Sequence, residues 1–102
     1  MKKIFLSSDH AGYKLKEFIK IHLDKKKISY TDLGPFNSER VDYPDYAHKV
    51  AKKVKTDKKH IGILVCGSGM GMNIAANRHK NIRAAQCFNL KSTKLSRLHN
   101  DA

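Results

Sequence analysis

The stretch of sequence that decides the fold runs from Ile61 to Met72 and consists of IGILVCGSGMGM. It joins an apolar run, a cysteine that ends this run, and glycines at alternate positions. The apolar run predicts a buried strand, and the residues after the glycines predict a helix. Glycine lets a backbone approach a ligand closely, and a helix N-terminus presents free N–H donors. We therefore expect a strand–turn–helix unit whose turn suits an anion, with a reactive thiol beside it.

Strands and helices alternate on both sides of this unit. The predicted strands are Lys3 to Ser7, Ile28 to Leu33, Ile61 to Val65 and Ile82 to Cys87. Such alternation is typical of an α/β protein with right-handed crossovers. We predict one domain over residues 1–102, a three-layer, doubly wound parallel sheet that is Rossmann- or flavodoxin-like. Its four strands take the order 2-1-3-4.

Four helices fill the connections between these strands. Apolar residues at helical spacing give the first two a buried face: Leu15, Phe18, Ile19 and Leu23 in one, and Ala47, Val50, Ala51 and Val54 in the other. The second helix begins near Pro44, because proline suits the first helical turn. The third opens at the glycines, and the fourth spans Ser92 to His99.

The strand order makes strands one and three neighbours. Their connections leave in opposite directions, and ligands of such sheets bind at this switch point, beyond the carboxyl ends of the strands. Strand one ends in Ser7 to Gly12, which includes Asp9 and His10, and strand three ends in Cys66 to Gly69. We therefore expect an Asp–His pair beside the cysteine and its turn.

Composition limits the class of protein. The chain has 102 residues, of which 40% are hydrophobic, and no apolar run approaches the ~20 residues of a membrane span. The apolar run after Lys3 is too short for a signal peptide, so we expect a cytoplasmic protein without a membrane partner. Two cysteines do not make a secreted disulfide framework, and no Cys/His spacing resembles a zinc site.

The net charge of +12 allows two interpretations. A basic chain can bind nucleic acid or another polyanion, or it can carry solvated lysines on helix ends and loops. No aromatic residues interleave with the lysine runs. We favour solvated lysines and expect no nucleic-acid partner.

Each candidate site residue has a structural alternative. Cys66 is either a base or nucleophile or an inert packed thiol, and the glycines after it favour the first. Asp9 is an acid/base group or a helix N-cap. His10 binds phosphate or lies exposed in a loop. Ser68 contacts substrate or caps the third helix, and Tyr43 lines the pocket or packs at its helix start.

Three further residues complete this set of interpretations. His99 and Asn100 follow the fourth helix, at the sheet edge that carries Asp9 and Cys66. A lone histidine in such a place is more often structural than catalytic. Cys87 lacks the glycines that follow Cys66, and we expect it to be a packing residue.

At this level of detail the chain resembles the ribose-5-phosphate isomerase B family, which includes the galactose-6-phosphate isomerases. Six segments in order carry the resemblance over essentially the whole chain: Ser8–Gly12, Ser38–Pro44, Cys66–Gly71, Ala75–Arg78, Ile82–Ala85 and Leu95–Asp101. Each segment alone is weakly diagnostic, whereas their combination is highly specific.

The resemblance implies aldose–ketose isomerisation through a cis-enediolate, without a metal or an organic cofactor. Ribose 5-phosphate and ribulose 5-phosphate are the implied substrate and product. Cys66 would be the base, and the amides of Gly67, Ser68, Gly69, Met70 and Gly71 would hold the enediolate oxygens. Ser68 would also move a proton between the two oxygens.

The resemblance also assigns the remaining residues. His99, helped by Asp9, would open the furanose ring, and Asn100 would bind a sugar hydroxyl. His10 would bind the phosphate and Tyr43 would line the pocket. A homodimer is implied, because His99 and Asn100 would act in the site of the partner.

Length is the one departure from the family. Family members continue past the His-Asn-Asp segment into a fifth strand, further helices and arginines that bind the substrate phosphate. We expect residues 1–102 to lack these parts and the isolated chain to be a poor isomerase.

Two other functions use some of the same residues. The cysteine–glycine turn also resembles the phosphocysteine loop of sugar phosphotransferase IIB domains, which follows the first strand rather than the third. A basic nucleic-acid-binding module is the other alternative. A dinucleotide fingerprint is excluded, because it requires glycine where this chain has Met72.

Overall fold

The computed structural model describes residues 2–102. Its elements are β1 (Lys3–Ser8), α1 (Tyr13–Lys25), β2 (Tyr30–Asp32), α2 (Tyr43–Val54), β3 (His60–Val65), α3 (Met70–Asn77) and α4 (Leu90–Asn100). The strands form one parallel sheet in the order β2-β1-β3. The predicted α/β class and the central position of strand one are confirmed.

The core lies between the sheet and the helices α2 and α3. Ala47, Met72 and Ala75 form a buried cluster, against which Leu64 and Cys66 pack. The predicted apolar face of α2 is buried at Ala47, Val50 and Ala51. These small side chains let α2 pack closely against both the sheet and α3.

The predicted fourth strand, Ile82 to Cys87, is not a strand in the structure. In place of a ladder with β3, the backbone of Ala84 bonds to a side-chain amide. Asn77 accepts the N–H of Ala84 at 2.8 Å and donates to the carbonyl of Ala84 at 2.9 Å. Gln86 donates to the carbonyl of Ser68 at 2.6 Å. The described sheet therefore has three strands, not four.

The exposure of Cys87 has the same cause, the absence of a fourth strand from the described sheet. The segment from Ile82 to Cys87 lies at the surface, and Cys87 is exposed. The expectation that Cys87 packs in the interior is wrong, because no sheet position encloses it.

Helix α1 buries a lysine where its apolar spacing predicts leucine and phenylalanine. Leu15 and Phe18 are 55% and 67% exposed, whereas Lys16 is fully buried. The Nζ atom of Lys16 lies 2.6 Å from Oδ2 of Asp32 and donates to the carbonyl of Pro35 at 2.8 Å. This ion pair ties α1 to the end of β2 and to the loop that leads to α2.

The exposed lysines concentrate at one edge of the sheet. The topology places ten of them where the strands begin and where α1 and α2 end: Lys2, Lys3, Lys25, Lys26, Lys27, Lys52, Lys53, Lys55, Lys58 and Lys59. We call this the basic edge. Within residues 2–102, no helix has the length and apolar character needed to cross a membrane.

Candidate active site

The carboxyl ends of β1 and β3 meet at the start of α1. The backbone N–H of Asp9 donates to the carbonyl of Val65 at 3.0 Å. A Cβ atom on Gly12 would lie 2.6 Å from the carbonyl carbon of Val65, so only glycine allows this close approach. The juxtaposition expected from the strand order is therefore present.

Asp9 joins the two strand ends through its carboxylate. Oδ1 accepts the N–H of Gly12 at 2.7 Å, and Oδ2 accepts the N–H of Gly67 at 3.2 Å. The residue is 9% exposed; its bond to Gly12 is buried and its bond to Gly67 is partly buried. Gly12, rather than Asp9, is the N-cap of α1. Asp9 thus fixes the position of the cysteine–glycine turn relative to α1.

Cys66 opens this turn. It is partly buried against the cluster of Ala47, Met72 and Ala75. Gly69 is the N-cap of α3 and has φ of 80° and ψ of −19°, a left-handed conformation that favours glycine. The thiol therefore lies at the start of a turn that leads directly into a helix.

Several N–H groups of the turn remain free. Among the described residues, the N–H groups of Ser68, Gly69, Gly71 and Met72 have no protein acceptor. The other two N–H groups are occupied: Gly67 donates to Asp9, and Met70 donates to Oγ of Ser68 at 3.2 Å. The turn can offer its free donors and the positive end of the α3 dipole to an anionic oxygen.

Tyr43 borders the turn from α2. A Cβ atom on Gly71 would lie 2.7 Å from Cε1 and 2.9 Å from Cζ of Tyr43. The ring therefore lies directly against the backbone of Gly71, and 43% of Tyr43 remains exposed. Tyr43 both packs at the start of its helix and forms one wall beside the free N–H groups.

His10 lies exposed in the loop between β1 and α1. Its Nδ1 accepts the backbone N–H of Val41 at 3.2 Å. A neutral ring that accepts at Nδ1 carries its proton on Nε2, which leaves an N–H donor for an anion. The same bond holds the loop before Tyr43 against the start of α1.

His99 and Asn100 lie at the end of α4 and are exposed. The carbonyl of Asn100 accepts a hydrogen bond from Nε of Arg83 at 2.7 Å. No hydrogen bond between described residues connects the side chain of His99 or Asn100 to Cys66, Asp9 or Ser68. One chain thus assembles Asp9, Cys66, Ser68 and Tyr43, and leaves His99 and Asn100 unconnected to them.

Sequence reasoning missed Gln86 and Val41. Gln86 lies 2.6 Å from the Ser68 carbonyl and contacts the turn from the outside. A glutamine inside the otherwise apolar segment Ala84 to Cys87 was the available signal. Val41 acts through its backbone N–H, which leaves no trace in the sequence.

The chain is similar to known proteins over nearly its whole length. A sequence model described as Ribose/Galactose Isomerase matches residues 4–102. Ribose-5-phosphate isomerase B of Escherichia coli is 46% identical over 101 residues, which cover 99% of this chain and 68% of that protein.

Two solved structures are similar over nearly the whole chain. Ribose 5-phosphate isomerase B of Thermotoga maritima has a TM-score of 0.95 and 48% identity, over 99% of this chain and 70% of that one. The enzyme of Mycoplasma genitalium, solved with bound ribulose-5-phosphate, has a TM-score of 0.92 and 44% identity, over 98% of this chain and 67% of that one. The chain belongs to the ribose/galactose isomerase family.

Proposed function

We propose that this chain catalyses aldose–ketose isomerisation of a phosphorylated sugar, with ribose 5-phosphate and ribulose 5-phosphate as the pair, and that residues 1–102 alone do so slowly. The observation that carries the proposal is the turn from Cys66 to Gly71, which places a thiol beside free N–H donors and is fixed by Asp9. The ribulose-5-phosphate bound to the Mycoplasma genitalium relative supports the substrate class.

Cys66 is the proposed base. Its thiolate takes the proton from the carbon next to the carbonyl, and the electron pair of that C–H bond forms the double bond of a cis-enediolate. The resulting thiol returns the proton to the neighbouring carbon, which regenerates the thiolate. No redox partner is needed, because one carbon is reduced as its neighbour is oxidised.

The free N–H groups of the turn stabilise the negative charge of this intermediate. Donors that are already in place cost no reorganisation when the charge develops, and one such donor is worth about 10²–10³ in turnover. The Oγ atom of Ser68 accepts from Met70, so its own O–H remains available to a substrate oxygen. Ser68 can therefore move the proton between the two oxygens of the enediolate.

The remaining contacts with substrate are part of the same proposal. His99 opens the furanose ring with help from Asp9, and Asn100 binds a sugar hydroxyl. His10 directs its Nε2–H to the phosphate, and Tyr43 lines the pocket.

A homodimer belongs to the proposal, because a single chain leaves His99 and Asn100 unconnected to Cys66. A second copy would supply these two residues to the site. We further propose that residues 1–102 act as one isomerase domain. A cytoplasmic location accords with a charged sugar phosphate as substrate.

The test follows the enediolate directly. The chain is incubated with ribose 5-phosphate in D₂O, and NMR measures deuterium uptake at the carbon beside the carbonyl together with formation of ribulose 5-phosphate. We expect Cys66→Ala to lower both rates at least 100-fold, since a positioned base contributes about 10²–10⁴. Cys87→Ala is the matched control, because Cys87 is exposed and its thiol bonds to the carbonyl of Ala85.

Retention of deuterium uptake by Cys66→Ala would contradict the role of the thiol. A stable phosphoryl adduct on Cys66 after incubation with a phosphoryl donor, measured by mass, would favour a phosphocysteine carrier instead. Cys66→Ala and Cys87→Ala serve both the exchange experiment and the mass measurement.

A further inference from the structure

We propose that Gln86 is a positioning residue that fixes the direction of the Gly69 N–H in the anion-binding turn. The inference concerns the geometry of the turn, and its catalytic consequence rests on the proposed function. The hydrogen bond of the Gln86 side chain goes to the turn, so we expect any effect on turnover to pass through the turn.

The side chain of Gln86 lies against the outer side of the turn. Its Nε2 donates to the carbonyl of Ser68 at 2.6 Å. A Cβ atom on Gly69 would lie 2.7 Å from the same Nε2 and 3.3 Å from Cδ and Cγ. The amide end of Gln86 is thus hydrogen-bonded to the Ser68 carbonyl, and the side chain occupies the space that a Cβ atom on Gly69 would need.

Asn77 keeps Gln86 in this place. It pairs with both the N–H and the carbonyl of Ala84, two residues before Gln86. Asn77 is the last residue of α3, the helix that begins just after Gly69. The turn and the segment that carries Gln86 are therefore connected at both ends of α3.

The planar peptide bond between Ser68 and Gly69 makes this contact determine where the Gly69 N–H points. In a trans peptide the carbonyl and the N–H lie in one plane and point in opposite directions. A hydrogen bond that holds the Ser68 carbonyl toward Gln86 therefore holds the Gly69 N–H away from Gln86. That N–H has no protein acceptor among the described residues, so it is free for a ligand.

The dihedral angles of Gly69 show which orientation the peptide takes. Its φ of 80° and ψ of −19° match the third position of a type II turn, for which ideal values are about +80° and 0°. Type I and type II turns differ by a rotation of this same central peptide. The donor of Gln86 stabilises the type II orientation, and its loss would allow the Gly69 N–H to turn away.

The kinetic consequence is specific. A donor that binds oxygen mainly when charge develops affects turnover more than ground-state binding. Removal of the Gln86 donor is expected to lower kcat by about 10–100-fold, while KM changes little. The effect is smaller than or equal to that of losing one N–H donor outright, because the Gly69 N–H is misdirected rather than removed. A purely structural defect would instead lower the amount of folded protein.

The experiment compares Gln86→Met and Gln86→Glu with the wild-type chain, and uses Cys87→Ser as the control on the same segment. In ¹⁵N-labelled protein, a type II orientation gives a strong nuclear Overhauser effect between Hα of Ser68 and the N–H of Gly69. We expect this signal in the wild type and in Cys87→Ser, and a weaker one in Gln86→Met. Glutamate is isosteric but donates only when protonated, so Gln86→Glu should regain the Overhauser signal as the pH is lowered.

An unchanged Overhauser signal in Gln86→Met would overturn the proposal, whether or not the protein is active. Unchanged kcat in Gln86→Met would overturn its catalytic consequence. A wild-type chain without deuterium exchange contradicts the proposed function alone, because the Overhauser comparison needs no substrate. If Gln86→Met fails to fold, the pH response of Gln86→Glu decides the question.

Discussion

The carboxylate of Asp9 accepts the backbone N–H of Gly67 at 3.2 Å, across 58 positions of sequence. The other oxygen of the same carboxylate accepts the N–H of Gly12 at 2.7 Å. One side chain thus connects the end of β1, the start of α1 and the turn after β3. Substitutions at Asp9 should therefore affect stability as well as activity.

Asp9→Asn tests this connection. Asparagine keeps one acceptor oxygen and presents an NH₂ group to the second N–H, which leaves the buried donor of Gly12 or the partly buried donor of Gly67 without a partner. An unsatisfied buried donor costs about 1–3 kcal/mol, and we expect a loss of this size in the free energy of unfolding measured with urea. Asp42→Asn is the control: Asp42 is exposed and makes no capping bond, so it should change stability by less than about 0.5 kcal/mol. Equal stability of Asp9→Asn and the wild type would exclude a structural role for the bridge.

Gly71→Ala tests the packing of Tyr43 on the turn. The new methyl group would lie 2.7 Å from Cε1 of Tyr43, and we expect a destabilisation of about 1–3 kcal/mol from overpacking. In a Tyr43→Ala background the same change should become neutral or stabilising, because alanine is favoured over glycine in a helix by about 1 kcal/mol. Urea unfolding of the four proteins measures the coupling. The same cost in both backgrounds would show that Tyr43 is not the cause.

The hydrogen bonds of the Asp32 carboxylate predict that the free energy of unfolding decreases in acid. Burial alone would raise the pKa of this carboxyl, but hydrogen bonds from Lys16, Lys20 and the N–H of Gly34 outweigh it and hold the pKa below its ordinary value. The stabilisation is therefore complete above the ordinary value of about 3.9 and is lost as the pH falls through the lower pKa of the folded state. Urea midpoints between pH 7 and pH 2 should fall less steeply for Asp32→Asn than for the wild type. Glu39→Gln, an exposed loop substitution, is the control that should keep the wild-type slope.

The environment of His79 predicts a second pH dependence of stability, at a pH nearer neutrality. Its Nε2 lies 2.6 Å from Nδ1 of His48, so one of the two nitrogens must be unprotonated. Burial lowers the pKa of His79 below 6.5, and His48, Lys55 and Lys52 lower it further. The unfolded chain therefore takes up a proton that the folded chain resists, and stability is lost as the pH falls from about 7 to 5.

His79→Gln should flatten this decline in thermal unfolding experiments. His22→Gln is the control, because His22 is exposed on α1. A decline of the same steepness in His79→Gln and the wild type would assign the pH dependence to other groups.

The parts of the site that follow from chain connectivity could be predicted. Alternation of strands and helices is sufficient to place strand one beside strand three, and hence Asp9 beside Gly67. The parts that depend on side-chain competition could not. Ile82 to Cys87 has the composition of a strand, but its residues form other hydrogen bonds. The N–H of Ala84 donates to the side chain of Asn77, and the side chain of Gln86 donates to the carbonyl of Ser68.

Helix α1 gives a second example. Its spacing predicts that Leu15 and Phe18 face inward, yet the buried residues of α1 are Lys16 and Leu23. The decisive factor is Asp32, sixteen residues away, whose carboxylate compensates the buried ammonium group. The spacing of apolar residues along one helix contains no information about a charged side chain on a neighbouring strand.

The basic edge gives the molecule a direction. Its ten lysines lie where the strands begin, and the turn from Cys66 to Gly71 lies where they end. The charge distribution is therefore a permanent electric dipole along the strands. On a negatively charged support, such as a cation-exchange bead, the chain should settle with its lysines on the surface and its cysteine turn open to the liquid.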